Sequence, residues 1–252
     1  REGKYKGGLI VEQKQSRKYP YTLLARRTVG DNRLNAPSVG LEASYNEYLS
    51  GTEGQILKQK IAGNLWMPIE NETTIIPKNG NDIVTTIDIN LQDATETALK
   101  KALDSSNAEF GCAIVMEVET GAIRAIANLG RTKSGELWEI DNYAITHTSE
   151  PGSTFKAASY LMLLDNNYIR ITDSVSNGGG VWNFYGRNMY DEHIQESKLS
   201  IRDAFARSSN IAIATLIDKN YKNKKNEFYR TLQKYGLTEI SGIDLIGETK
   251  PD

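Results

Sequence analysis

The pattern of apolar and polar residues changes about a third of the way along the chain. Up to about residue 80 the apolar pieces are short and are separated by charged residues, glycine and asparagine. They predict a strand at Gly7–Val11, a short helix at Thr22–Val29 and a helix at Leu41–Leu49. We therefore expect residues 1–80 to form an extended module with a small core, and residues 81–252 to form a second domain.

The second part switches between strand-like and helix-like periods. Asp82–Asp88 alternates as a strand does, and Asn90–Leu103 repeats apolar residues on one helical face. Ala113–Val118 and Ala122–Leu129 predict two strands joined by a Glu-Thr-Gly turn. Gly178–Tyr190, rich in glycine and aromatic residues, predicts a loop or a small hairpin. The fold class is therefore α+β, with helices around an antiparallel sheet.

Composition excludes several classes of function. The 252 residues carry a formal net charge of −2, so there is no electrostatic case for binding nucleic acid. Two histidines and one cysteine leave few metal ligands, and we interpret Cys112 as a buried strand thiol. No apolar run approaches the roughly 18 residues of a transmembrane helix. We expect neither a metal nor an organic cofactor.

The most informative stretch is Ser153-Thr154-Phe155-Lys156, which follows Pro151-Gly152. Residues three apart share a helix face, so the Lys156 amine can lie beside the Ser153 hydroxyl and take its proton. The apolar run after Lys156 predicts a buried helix, and burial favours the neutral amine that a general base needs. Taken alone, the tetrapeptide is more typical of an N-capped helix with an exposed lysine.

A second motif changes this interpretation. Ser208-Ser209-Asn210 lies 55 residues after Ser153, between an expected helix that starts with the capping-box pattern Ser200–Asp203 and a second apolar helix. Ser-x-x-Lys followed by Ser-x-Asn is the signature pair of penicillin-recognising serine enzymes. Two similar tripeptides are interpreted otherwise: Ser105–Asn107 as the loop that ends a helix, and Lys133–Gly135 as a solvated turn.

The chain resembles the class B penicillin-binding proteins, which are monofunctional peptidoglycan D,D-transpeptidases, and its details resemble the division-specific septal branch. Arg17-Lys18-Tyr19-Pro20 is similar to a block of the family's N-terminal pedestal, or dimerisation, domain. Val84–Asp88 resembles the entry to the transpeptidase domain, and Thr120–Ile123 resembles its first hairpin. The resemblance thus implies a pedestal at residues 1–80 and part of a transpeptidase domain at residues 81–252.

The resemblance implies a role for each motif residue. Ser153 would be the acylated nucleophile, Lys156 its general base, and Ser208 the relay that carries the proton to the leaving amine. Asn210 would hydrogen-bond the substrate peptide. The family's oxyanion hole uses the backbone N–H of the nucleophile and one from a strand that carries a third motif, Lys-Thr/Ser-Gly. No such motif follows Asn210, so we expect a C-terminally truncated fragment with weak or no activity.

For the parent protein, the resemblance implies an N-terminal membrane anchor and a site outside the cytoplasmic membrane. Its partners would be peptidoglycan stem peptides that end in D-Ala-D-Ala, β-lactam antibiotics and membrane proteins of cell division. Two alternatives stay open. One is a serine D,D-carboxypeptidase or β-lactamase, which shares the two motifs, and the other is a non-catalytic binding module of the division machinery.

Overall fold

The computed structural model describes residues 16–31, 36–61, 65–69, 74–194 and 196–251. The strand predicted at Gly7–Val11 lies outside the described residues. The chain divides into two compact units. The first holds the residues up to Ile145 together with Asp244–Ile246, and the second holds Thr146–Ile243 and Gly247–Asp252.

The N-terminal part of the first unit is built from short elements. They are the helices α1 (Arg26–Val29), α2 (Gly40–Ser44) and α3 (Asn46–Leu49), and an antiparallel hairpin of β1 (Leu57–Ile61) and β2 (Leu65–Ile69). The helix predicted at Leu41–Leu49 is therefore two helices, separated at Tyr45. The helix predicted from Thr22 begins only at Arg26, because Thr22 and Ala25 both take left-handed backbone angles.

The rest of the first unit packs one long helix on a small sheet. Its elements are α4 (Ile89–Ser106), β3 (Phe110–Met116), β4 (Ile123–Arg131), β5 (Leu137–Trp138) and α5 (Tyr143–Thr146). The sheet is antiparallel in the order β3-β4-β5; the hairpin of β3 and β4 is the one predicted from the sequence, whereas β5 was not predicted. Asp88 caps α4 by accepting from the backbone N–H groups of Asn90 and Leu91, and Leu99 and Leu103 bury the inner face of the helix.

Two predictions for this unit are wrong. Asp82–Asp88 is not a strand, and Val84 is 97% exposed. Its one hydrogen bond between backbone groups of the segment and of β4 runs from Asp88 N–H to Arg124 C=O, and the remaining bonds to β4 involve side chains, as when the Thr86 hydroxyl donates to Ile123 C=O at 2.7 Å. The alternation of its residues is real, but this part of the described chain offers them no second ladder partner. Cys112 does lie in a strand, but on the exposed face of β3, so its thiol is not buried.

The second unit is built around a core of packed helices. Its elements are α6 (Phe155–Asp165), β6 (Ser174–Ser176), β7 (Val181–Phe184), β8 (Arg187–Tyr190), β9 (Lys198–Ser200), α7 (Ile201–Ala206), α8 (Asn210–Tyr221) and α9 (Lys225–Lys234). Strand β6 pairs with β9, and β7 pairs with β8. Met162 and Leu163 of α6 are fully buried in one cluster with Ala212 and Leu216 of α8. The apolar run after Lys156 is therefore a core helix, as predicted.

The local signals in this unit also hold. Ser200 caps α7 by accepting from the Asp203 N–H at 3.0 Å, and Gly178–Tyr190 contains a two-stranded hairpin. Gly236 follows α9 with a φ of 71°, the left-handed conformation that favours glycine after a helix. In the described part of the chain, no helix combines the length and the apolar character that a membrane crossing needs.

Candidate active site

Ser153 lies in a single 3-10 turn, Gly152–Thr154, that runs directly into α6. Gly152, the second residue of the Pro-Gly pair, has a φ of 57° and gives the chain the sharp entry into the helix that this pair predicts. The Ser153 side chain is exposed, and none of the described residues hydrogen-bonds its hydroxyl group. A reactant could therefore approach this oxygen from solvent.

Lys156 stands on the first turn of α6 and reaches the turn between α7 and α8. Its Nζ atom lies 2.9 Å from the Ser208 hydroxyl oxygen and 2.5 Å from the Ser208 carbonyl oxygen. Both oxygens accept from the ammonium group. No hydrogen bond joins Lys156 to Ser153 in this structure, so their direct pairing stays a prediction. The structure does bring together two predicted site residues that are 52 positions apart.

The environment of Lys156 favours its neutral form. Partial burial lowers the pKa of the amine, and the negative charge of Asp191 opposes part of that change. A general base must be unprotonated to accept a proton, so the direction of the shift suits this role.

The turn that carries the second motif has an unusual backbone. Ser208 has a φ of 55°, in the left-handed region that non-glycine residues rarely take. The Ser208 N–H donates to Phe205 C=O at 3.0 Å, and the Ser209 N–H donates to Ala204 C=O at 2.9 Å. Asn210 begins α8, and its side chain is exposed. This geometry turns the Ser208 hydroxyl toward Lys156 and leaves Asn210 accessible.

The two similar tripeptides have other surroundings. Ser105 and Ser106 donate their hydroxyl protons to the Ala102 carbonyl of their own helix, and Asn107 ends that helix with a φ of 51°. The segment Lys133–Gly135 is an exposed turn. The prediction of a solvated turn at Lys133–Gly135 is confirmed. The prediction of a loop at Ser105–Asn107 is wrong for its two serines, because α4 continues through Ser106 and only Asn107 ends it.

Three polar residues that were not predicted to be buried lie behind the second motif: Asn177, Asp191 and Ser209. Ser209 caps α8 by accepting from the Ala212 N–H at 3.0 Å, and its own hydroxyl donates to a carboxylate oxygen of Asp191. The other Asp191 oxygen accepts from the Asn210 N–H at 2.6 Å and the Ile211 N–H at 3.3 Å. The cap was detectable, since a serine precedes an apolar run. Asp191, 18 residues away in a polar stretch, had no local signal.

Tyr160 is a fourth buried polar residue in this region. Its hydroxyl group is buried and has no hydrogen-bond partner among the described residues. Burial, and then the charge of Asp191, raise the pKa of Tyr160 to about 12. The phenol is therefore neutral, and Asp191 supplies the negative charge beneath the site.

Comparison with known proteins assigns the sequence to a family. A family model described as the penicillin-binding protein transpeptidase domain matches residues 111–251, which is more than half of the chain. The chain belongs to the penicillin-binding protein transpeptidase family. The matched segment contains both motifs, from Ser153 to Asn210.

Curated relatives extend the match over both predicted parts of this transpeptidase chain. It is 30% identical over 250 residues to the peptidoglycan D,D-transpeptidase FtsI of Buchnera aphidicola subsp. Schizaphis graminum, covering 96% of this chain and 42% of that protein. It is 24% identical to FtsI of Escherichia coli, with 96% and 41% covered. The prediction of a class B penicillin-binding protein is confirmed, and the chain spans about two-fifths of the length of these relatives.

Solved structures agree with the fold. Penicillin-binding protein 2X of Streptococcus thermophilus has a TM-score of 0.73 at 22% identity, with 92% of this chain and 36% of that chain covered. The transpeptidase domain of Burkholderia pseudomallei penicillin-binding protein 3 has a TM-score of 0.55 at 25% identity, with 66% and 46% covered. The α+β fold predicted from sequence is thereby confirmed.

Proposed function

We propose that the protein containing this chain is a peptidoglycan D,D-transpeptidase that works through an acyl-serine intermediate. The observation that carries the proposal is the contact between the Lys156 amine and the Ser208 hydroxyl at 2.9 Å. The contact joins the lysine of the Ser-x-x-Lys motif to the first serine of the Ser-x-Asn motif. The family to which the chain belongs carries this pair of motifs.

In the first step, the Ser153 oxygen attacks the carbonyl carbon of the penultimate D-Ala of a stem peptide. Neutral Lys156 takes the Ser153 proton. The peptide bond to the terminal D-Ala then breaks, and Ser208 passes a proton from Lys156 to the leaving amine. Asn210 hydrogen-bonds the peptide backbone of the substrate. Free D-Ala leaves, and the rest of the stem peptide stays on Ser153 as an ester.

In the second step, an amine of a neighbouring stem peptide attacks this ester. Its proton returns through Ser208 and Lys156 to the Ser153 oxygen, and a new peptide bond links the two strands. A β-lactam acylates Ser153 in the same way as the substrate but does not go through the second step. Attack opens its ring, so the leaving group stays attached and the acyl-serine persists. Charge that develops on the attacked carbonyl oxygen would be stabilised in part by the Ser153 N–H at the start of α6.

We further propose that the protein acts in cell division, on the outer face of the cytoplasmic membrane, and works with membrane proteins of the division machinery. The support is the similarity to FtsI proteins over 96% of the chain. The same similarity disfavours a carboxypeptidase or β-lactamase, because it includes the N-terminal 80 residues as well as the two motifs.

The proposal is tested by supplying the full-length protein with an acyl-D-Ala-D-Ala peptide and an acceptor amine. We expect release of D-Ala together with a peptide–amine product, and loss of both in Ser153→Ala. Ser105→Ala, in the similar tripeptide at the end of α4, is the matched control and is expected to keep full activity. Hydrolysis that the acceptor never diverts would indicate a carboxypeptidase, and release of D-Ala that survives Ser153→Ala would exclude the assigned nucleophile.

A further inference from the structure

A buried carboxylate organises the turn that carries the second motif. Asp191 is only 8% exposed, and its two oxygens together receive three hydrogen bonds, from the Ser209 hydroxyl and from the Asn210 and Ile211 N–H groups. These donors form the first turn of α8. An anion at a helix N-terminus is stabilised by the free N–H groups and the helix dipole. These interactions offset the free-energy cost of removing the Asp191 carboxylate from water.

The same contacts tie the turn to a second element. Asn177 precedes and Asp191 follows the hairpin formed by β7 and β8. Asp191 accepts the single proton of the Ser209 hydroxyl, and Asn177 Oδ1 lies 3.1 Å from the same hydroxyl oxygen. The base of the hairpin is closed by bonds from the Gly180 N–H to Asn177 C=O at 2.9 Å and from the Asp191 N–H to Gly180 C=O at 3.0 Å. Ser209 is therefore held from both ends of one hairpin.

The turn needs such support because Ser208 is strained. A non-glycine residue in the left-handed region is strained, and this conformation persists only where neighbouring contacts fix it. Lys156 holds the exposed side of the turn through the Ser208 carbonyl and hydroxyl oxygens. Asp191 holds the buried side through Ser209, which is fully buried. Removal of the buried contacts would let the turn relax and move the Ser208 hydroxyl away from Lys156.

We propose that Asp191 is a positioning residue of the active site, which fixes the Ser208–Asn210 turn through Ser209, and that the β7–β8 hairpin serves as the rigid support for Asp191. The inference rests on the proposed acylation of Ser153, because the turn matters only if Ser208 and Asn210 take part in that reaction. Asp191 itself touches no reacting atom.

The sharpest perturbation is Asp191→Asn, which keeps the shape and one acceptor oxygen but loses the charge. We expect the first-order rate constant for acylation to fall by about 10- to 100-fold, the range for loss of a charge-assisted hydrogen bond. Ser209→Ala removes the hydroxyl that links the carboxylate to the turn. If Asp191 and Ser209 act through the same hydrogen bond, the double variant Asp191→Asn/Ser209→Ala should not multiply the two effects. Its fold-decrease in the acylation rate constant will be clearly smaller than the product of the fold-decreases of the two single variants.

A matched control separates positioning from general loss of stability. Asn166 donates to the Tyr221 hydroxyl at 2.7 Å and the Thr231 hydroxyl at 3.2 Å, in another polar network of the same unit. Asn166→Ala is expected to lower the melting temperature. Its acylation rate constant is expected to stay within about threefold of the wild type, because the Asn166 side chain bonds Tyr221 and Thr231 and no residue of the Ser208–Asn210 turn.

The experiment is stopped-flow acylation of the full-length protein by a fluorescent penicillin, which separates initial binding from the acylation step, with a melting curve for each variant. The inference is supported if Asp191→Asn slows the acylation step at least tenfold while Asn166→Ala does not. It is overturned if the wild type is acylated and Asp191→Asn matches Asn166→Ala. Should Asp191→Asn fail to fold, Ser209→Ala provides the same comparison. A wild type that is never acylated overturns the proposed function, and this inference with it.

Discussion

Replacing Glu139 with glutamine is expected to remove a pH-dependent loss of stability from the unit that contains the three-stranded sheet. Glu139 follows β5, and one of its carboxylate oxygens accepts from the Arg27 N–H at 2.8 Å. The other oxygen is buried and has no partner among the described residues. Burial, with a further contribution from the charge of Glu96, raises the pKa of Glu139 from 4.5 to about 7.

The sign and size of the effect follow from proton linkage. The folded state holds the Glu139 proton more tightly than the unfolded chain does, so this group favours folding most below pH 4.5. That contribution is lost as the pH rises from 4.5 to about 7. At about 1.4 kcal/mol for each pH unit between these values, the wild type should lose about 3 kcal/mol of unfolding free energy across the window.

The assay is urea unfolding from pH 4 to 8, followed by tryptophan fluorescence, to which the adjacent Trp138 contributes. Glutamine keeps an acceptor for the Arg27 N–H but does not titrate, so Glu139→Gln should become more stable than the wild type by about 3 kcal/mol near pH 8, relative to their difference at pH 4. Glu136→Gln, at an exposed position three residues earlier, is the control and should not reproduce the gain in stability of Glu139→Gln near pH 8. Parallel curves for Glu139→Gln and the wild type would refute a buried titrating carboxyl group.

Two further substitutions test the packing. Gln92 is fully buried and bonds both the N–H and the C=O of Ile126, at 2.8 and 2.9 Å, so Gln92→Leu should cost about 2–5 kcal/mol by leaving two buried backbone groups unpaired; an unchanged urea midpoint would contradict this. Gly180 has a φ of 89°, and an added Cβ would lie 2.3 Å from the Ile194 carbonyl oxygen. Gly186 has a similar φ, but open space surrounds the position of an added Cβ. Gly180→Ala should therefore lower the melting temperature far more than Gly186→Ala does; equal decreases in melting temperature would count against a closed hairpin base.

Local sequence signals predicted much of the fold and the two motifs. Ser200 is a helix cap with its partner three residues away, so the relevant chemistry lies within a short window. The hairpin of β3 and β4 could be predicted because its turn residues lie directly between its two strands in the sequence. Ser-x-x-Lys and Ser-x-Asn are each local, and their convergence at Lys156 and Ser208 followed from the family resemblance rather than from periodicity.

What escaped prediction depends on contacts between distant residues. The alternation in Asp82–Asp88 is that of a strand, but a strand also needs a partner, and no local rule supplies one. Gln92 occupies an interior position on α4 because its amide completes the bonds of Ile126, 34 residues away. Asp191 is buried for a similar reason, since its backbone donors belong to α8, 19 and 20 residues away. In both cases a polar residue is buried because the tertiary fold supplies its partners.

The most direct test of the account is to locate the covalent adduct that a β-lactam leaves on the full-length protein. Tandem mass spectrometry of the digested, penicillin-treated protein is predicted to find the acyl group on Ser153, one per chain, with Ser105, Ser208 and Ser209 unmodified. A stable adduct on any other residue, or none after prolonged exposure of folded protein, would contradict the assignment of Ser153 as the nucleophile that Lys156 and Ser208 serve.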